Sequence, residues 1–330
     1  MNFNNIKKVF IIAEIGINHE GDFDSCKYMI SMAKKAGADA VKLQSIFADK
    51  NYTKLSPSYK IFKSAEFSLE QIKELFLYAR QIGIEIFTTA GDIETVEWIN
   101  ENLKPKIWKI SSGLLNHFPL LEYLASLKTK LILSTGMSKL SEIDKAVDIL
   151  RNKDCNYAIL QCTSLYPTPA EEINLASMSF YKERYGCQVG FSDHSVGHDA
   201  AFLSVAAGAK IIEKHFTIDS SREGYDHHIS LEPIEFEEMV KKIRNAEVII
   251  GNSKKSLSNN AKTTRKNFLR CVVANEEILK GSIITKKNIS IKRPAPGSKG
   301  SAPEYFDSFI GLHAKRDIHI DSPILIKDLE

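Results

Sequence analysis

The chain has 330 residues, 43% hydrophobic and 26% charged, with 44 lysines and arginines against 41 aspartates and glutamates. The net charge of +3 is too small for a nucleic-acid footprint, and the apolar content suits a substantial core with little long disorder. The length exceeds the roughly 250 residues of one α/β barrel, so two domains are expected.

The N-terminal apolar run meets Glu14 early and has no small-residue cleavage site, so it reads as a first strand and not as a signal peptide. No stretch approaches the roughly 20 apolar residues needed to span a bilayer. Five cysteines, Cys26, Cys155, Cys162, Cys187 and Cys271, are scattered without a C-x-x-C pair. They point to reduced thiols and a cytoplasmic protein.

From there the chain alternates short runs rich in Val, Ile, Leu and Phe with segments of helical periodicity, the pattern of βα units and a parallel sheet. The strands fall at 9–16, 40–45, 84–90, 107–112, 130–136, 157–163, 188–194 and 210–216. Eight is the number that closes a (β/α)8 barrel of the TIM type. An open doubly wound sheet would gather its polar residues at one crevice, whereas here nearly every strand end is polar. Ser68 is a reasonable N-cap for a helix with Ile72, Leu75, Phe76 and Ala79 on its apolar face. The barrel is expected over 1–250, a polar linker over 251–267 and a compact β-rich module over 268–330.

Strands of a parallel barrel are covered on both faces, so an ionisable group within one needs a partner, a ligand or a task. Same-parity polar pairs sit near the carboxyl ends: Lys42 with Gln44, Lys109 with Ser111, Ser192 with His194, and Glu213 with His215. Each pair can face one shared mouth, the end of such barrels that hosts catalysis. Lys214 has the opposite parity and is expected to point toward the helices. His194 and His215 end consecutive strands, about 5 Å apart in a sheet, and could converge on one divalent cation such as manganese or magnesium. They could equally bond separately to Asp193, Glu213 or backbone, and His19, His198, His227 and His228 also lie near loops. Lys42, Lys109, Thr89, Ser112, Ser134, Ser164 and Ser192 offer cationic and hydroxyl donors suited to a phosphate-bearing anion. No P-loop or dinucleotide fingerprint is present, which argues against nucleotide chemistry.

In their local settings these residues resemble the sialic acid synthase family. The matching segments are AEIGINHEGD (13–22), AVKLQ (40–44), KISSG (109–113), STGMS (134–138), CTSLYPTP (162–169), FSDHSVG (191–197), EKHFTID (213–219), GYDHHISLEP (224–233) and KRP (292–294). The resemblance implies condensation of phosphoenolpyruvate with an N-acyl hexosamine to a nine-carbon keto acid, with release of phosphate. It implies His194 and His215 as metal ligands, and Lys42, Thr89, Lys109, Ser112, Ser134, Ser164 and Ser192 around phosphoenolpyruvate. Gln44, Tyr166, Glu213 and Asp226 match positions around the sugar, and Glu14, with Asp226 and Lys42, is the group expected to serve catalysis. The terminal module resembles the antifreeze-like (β-clip) domain that members exchange across a homodimer, with Arg293 reaching the partner's sugar site. Leu114 replaces a usual Glu after KISSG, Tyr225 replaces a Pro, and Ala90-Gly91 replace Pro-Phe. Leu114 suits a legionaminic or pseudaminic acid synthase acting on a 2,4-diacetamido-trideoxyhexose, against the default of an N-acetylneuraminate synthase. A sugar-binding homologue without catalysis is a further alternative.

Overall fold

The structure is a computed structural model that describes residue 3 and residues 6–330. Eight parallel strands close into a barrel in sequence order: β1 (Phe10–Gly16), β2 (Ala40–Ser45), β3 (Glu85–Ala90), β4 (Ile107–Ile110), β5 (Lys130–Ser134), β6 (Tyr157–Cys162), β7 (Gln188–Asp193) and β8 (Ile211–His215). Helices cover the outside. The one over Leu69–Ile82 starts on Ser68 with a reciprocal capping box, ends on Gly83 in the left-handed conformation, and buries Ile72, Leu75, Phe76 and Ala79 against the sheet.

Side-chain alternation divides the barrel interior into two levels. Toward the amino ends, Ile12, Ala40, Phe87, Ile107, Ile132, Ala158, Leu160 and Ile211 pack around Phe3 as an apolar plug. One inward position further on, the eight strands present Glu14, Lys42, Thr89, Lys109, Ser134, Cys162, Ser192 and Glu213, all buried. The polar mouth therefore rests on a dry floor that holds its side chains in place.

β4 is shorter than its sequence suggests, since Ser112–Leu114 form a 3-10 turn after Ile110. Lys214 points outward as its parity requires and is wholly buried, its Nζ 3.2 Å from Asp193 Oδ2. The two residues are register partners across β7 and β8.

The chain divides into two compact units, 1–251 and 252–330. The stretch expected as a polar linker, 251–267, contains most of a helix, Asn259–Phe268, started by Ser258 as N-cap. β9 (Cys271–Ala274) and β10 (Ile289–Lys292) pair antiparallel, and Val272, Ala274, Ile284, Ile289, Phe309 and Ile318 build a small core of their own. The segments 281–285 and 322–326 contribute only isolated bridges, through Ile283 and Pro323. Among the described residues no helix is long and apolar enough to cross a membrane.

Candidate active site

The carboxyl ends of the barrel strands enclose a cavity of about 450 Å³. Glu14, Lys42, Gln44, Thr89, Lys109, Ser112, Ser134, Ser164, Tyr166, Ser192, His194, Glu213 and His215 all line it. Register explains why: Glu14 lies opposite both Lys42 and His215, and Ser192 lies opposite Glu213. Gly16 gives the first strand its bend, with φ +54° and a site where a Cβ would stand 2.9 Å from Glu14 Oε1.

At the base of the cavity two carboxylates and two ammonium groups interleave. Lys42 Nζ is 2.7 Å from Glu14 Oε2 and 3.7 Å from Glu213 Oε1, while Lys109 Nζ is 3.3 Å from that same Glu213 oxygen. Ser192 donates to it at 3.1 Å, and Gln44 Nε2 donates to Glu14 Oε1 at 2.9 Å. Burial opposes ionisation of Glu213, but the two lysines outweigh it and hold the carboxyl below its ordinary range. Glu14 has less compensation: burial, reinforced by the charge of Glu213 and only partly offset by Lys42, pushes it up to about 7. Lys42, between two carboxylates, is held above its ordinary value against the pull of burial, whereas burial draws Lys109 down. Ser134 Oγ and Glu213 Oε2 are buried without a hydrogen-bond partner, as befits groups that await a ligand.

Hydroxyls ring this base. Thr89 Oγ1 and Ser111 Oγ are 3.2 Å apart, and Ser112 Oγ accepts from the Gly136 amide at 3.0 Å. Thr88, of the opposite parity, turns away and donates to the Leu43 carbonyl.

The imidazoles of His194 and His215 converge, with ring centroids 5.3 Å apart. His194 Nδ1 donates to the Thr163 carbonyl at 2.8 Å, so Nε2 is the lone-pair nitrogen, and it accepts from the Tyr166 hydroxyl at 3.2 Å. His215 Nδ1 is buried with no hydrogen-bond partner and lies 3.6 Å from Asp226 Oδ2. Burial, with the surrounding cations, keeps His215 neutral, its pKa well below the ordinary imidazole value. His194 differs: against the pull of burial, Cys162 and the Thr163 carbonyl hold it above the ordinary imidazole value, and its Nε2 is taken by the Tyr166 hydroxyl, so the pair would suit a divalent cation once Tyr166 releases that nitrogen. Among the described residues no group of three or more His, Cys, Asp or Glu side chains is arranged around one metal position, so the remaining ligand positions would fall to substrate or water.

Asp226 stands behind His215 and does not line the cavity; its backbone amide donates to Asn18 Oδ1 at 3.0 Å. Arg293 belongs to the second unit, its guanidinium 4.9 Å over the Phe268 ring. Tyr225 takes φ +48° and its hydroxyl lies 3.1 Å from Ser64 Oγ.

Several lining residues escape sequence reasoning. Cys162 is the next inward position after Ala158 and Leu160, a signal that strand parity contains; its Sγ lies 3.7 Å from His194 Nδ1 and 3.6 Å from Ser112 Oγ. Asn51, Tyr52 and Phe62, from the long β2–β3 connection, and Met137, from the β5 loop, carry no periodic signal at all.

A closed barrel whose mouth pairs a cluster of lysines and hydroxyls with two convergent imidazoles has the arrangement of an enzyme site at the carboxyl ends of the strands. Comparison with known proteins identifies which such barrel this is. The chain belongs to the NeuB family, whose sequence profile matches residues 29–255, and residues 270–330 match the SAF domain, in keeping with the sialic acid synthase resemblance. The chain is 38% identical to N,N'-diacetyllegionaminic acid synthase of Campylobacter jejuni over 97% of its own length and 99% of that protein. It is 34% identical to a pseudaminic acid synthase of the same species, over 99% and 98%. The crystal structure of an N-acetylneuraminic acid synthetase from Leptospira borgpetersenii superposes with a TM-score of 0.76 at 34% identity, covering 79% of this chain and 90% of that one.

Proposed function

We propose that the protein condenses phosphoenolpyruvate with an N-acylated amino sugar, releasing phosphate and forming a nine-carbon 2-keto sugar acid. The observation that carries this reading is that one cavity holds the anion cradle and the histidine pair together. Lys109, with Ser112, Ser134 and Ser192, would hold the phosphate and carboxylate, and the dry plug beneath would keep those donors from reorganising as charge develops. His194 and His215 would hold the divalent cation, manganese or magnesium, which supplies Lewis acidity at the sugar aldehyde oxygen. The nucleophile is C3 of phosphoenolpyruvate, and water then adds at C2 before the C–O bond to phosphate breaks. Glu14, near neutrality and 2.7 Å from Lys42, is the group suited to take the proton of that water.

The acceptor is the finer question. Leu114 lines the cavity where a carboxylate would otherwise bind a hydroxyl, and an apolar side chain there leaves such a hydroxyl unpaired. This supports a 2,4-diacetamido-trideoxyhexose, the legionaminic or pseudaminic series, over N-acetylmannosamine. The retained Lys42, Lys109, His194 and His215 support catalysis over a silent sugar-binding role. Phosphate release from phosphoenolpyruvate, measured with manganese and a panel of both acceptor types, tests the reading. Preference for the trideoxy sugar is expected, with Leu114→Glu moving it toward N-acetylmannosamine. Absence of phosphate with every acceptor would favour the silent reading.

A further inference from the structure

The β2–β3 connection inserts two extra helices, Ala48–Asn51 and Pro57–Ala65, before the helix that packs on the barrel. From this insertion Asn51, Tyr52 and Phe62 reach the same cavity as Lys109 and His215. The rings of Tyr52 and Phe62 are 5.1 Å apart and tilted by 35°, and both are half-buried. Asn51 Nδ2 donates to the Phe47 carbonyl at 2.9 Å and approaches Asp92 Oδ2 at 3.5 Å, which fixes the orientation of the amide. Its Oδ1 is then an acceptor with no donor among the described residues.

Gly91 is what permits this placement. A Cβ at position 91 would stand 1.7 Å from Asn51 Oδ1 and 2.6 Å from its Cγ, so any larger residue would push the amide aside. Asn51, with an amide oxygen packed over Gly91, and the tilted Tyr52–Phe62 pair thus share the wall of an otherwise ionic cavity. A sugar could use the two features only through separate parts, a hydroxyl on the acceptor and a C–H face on the rings; a secondary amide bearing a small alkyl group uses both through one substituent.

Resting on the synthase reading above, we propose that Asn51, Tyr52 and Phe62 seat one acylamino group of the acceptor sugar. The amide N–H donates to Asn51 Oδ1, and the acyl methyl lies on the Tyr52–Phe62 pair. The insertion is thus a specificity element, and the acceptor class is defined by a short N-acyl chain.

The test takes the full-length protein and the amino sugar turned over fastest, prepared with N-acetyl, N-propanoyl and N-butanoyl groups. Wild type is expected to lose roughly tenfold in kcat/KM per added methylene, and Phe62→Ala to abolish or invert that order, with KM for phosphoenolpyruvate unchanged within about twofold. Gly91→Ala should raise the acceptor KM while keeping the order, because it displaces the amide and leaves the rings. An unchanged acyl preference in Phe62→Ala, or a KM for phosphoenolpyruvate raised as much as that for the acceptor, would overturn the proposal. If Phe62→Ala does not fold, Phe62→Leu takes its place with the same criteria. Should wild type turn over no acceptor, the synthase reading falls by itself. The seat is then tested by calorimetric binding of an N-acetyl hexosamine, which Phe62→Ala must weaken if the proposal is to stand.

Discussion

The base and the wall of the cavity are built on opposite principles. At the base, Glu14, Lys42, Lys109, Ser192 and Glu213 stand on strands, are buried, and satisfy one another through short contacts over an apolar plug. On the wall, Asn51, Tyr52, Phe62, Leu114 and Met137 come from connections, are less buried, and make few polar contacts. The difference separates two tasks. Groups proposed to meet developing charge are held by hydrogen bonds and ion pairs between neighbouring strands, which tolerate little motion. Groups proposed to choose among sugars ride on segments whose change leaves the barrel intact.

That division can be broken at the base. Removing one of the two convergent imbedded imidazoles, by His215→Ala, should lower kcat by about a thousandfold or more while circular dichroism stays native. Near-normal turnover would end the metal assignment. The wall has no equivalent: its variants should alter acceptor KM and leave kcat with the best acceptor within about tenfold.

The outer face of the same strand ends offers a stability effect. Lys214→Met leaves the buried Asp193 charge without its cation, with only the Ser195 amide and hydroxyl bonding it, which should cost about 3–5 kcal/mol and lower Tm markedly. A melting curve like that of wild type would show that the pair is dispensable.

Glu14 takes up its proton at a higher pH in the folded than in the unfolded chain, where the ordinary value is 4.5. The folded state therefore binds more protons between pH 4.5 and about 7, and stability falls as pH rises through that window. If Glu14 takes the proton of water as proposed, activity should rise through the same window to a midpoint near 7. Glu14→Gln should flatten the decline in stability and remove the activity limb. Retention of the limb would assign it to another group.

The smallest effect is expected at Arg293. If its side chain completes the sugar site of a partner subunit, Arg293→Ala should raise the acceptor KM about 5- to 30-fold, on the order of 1–2 kcal/mol, and that of phosphoenolpyruvate less. Equal effects on both would remove it from the sugar side.

Much of the base is legible without coordinates. Side chains in a strand alternate with a period of two, so Lys42, Lys109, Ser192, Glu213 and His215 could be assigned inward and Lys214 outward from the sequence. Cys162 obeys the same alternation, and only its chemically modest side chain concealed it. The helix Asn259–Phe268 was hidden by composition: its residues are polar and none is buried, so no apolar stripe marks it.

The chain's own order of residues thus determined the number of strands, the closed barrel, the ring of polar strand ends and a separate terminal module, because each of these rests on local periodicity. Tertiary structure alone decided that Glu213 lies between two lysines, that the Tyr166 hydroxyl meets His194 Nε2, and that Asn51, Tyr52 and Phe62 share the mouth with residues far along the chain. Those are meetings between segments with no common period, and only the packing of the closed barrel and its loops brings them within reach of each other.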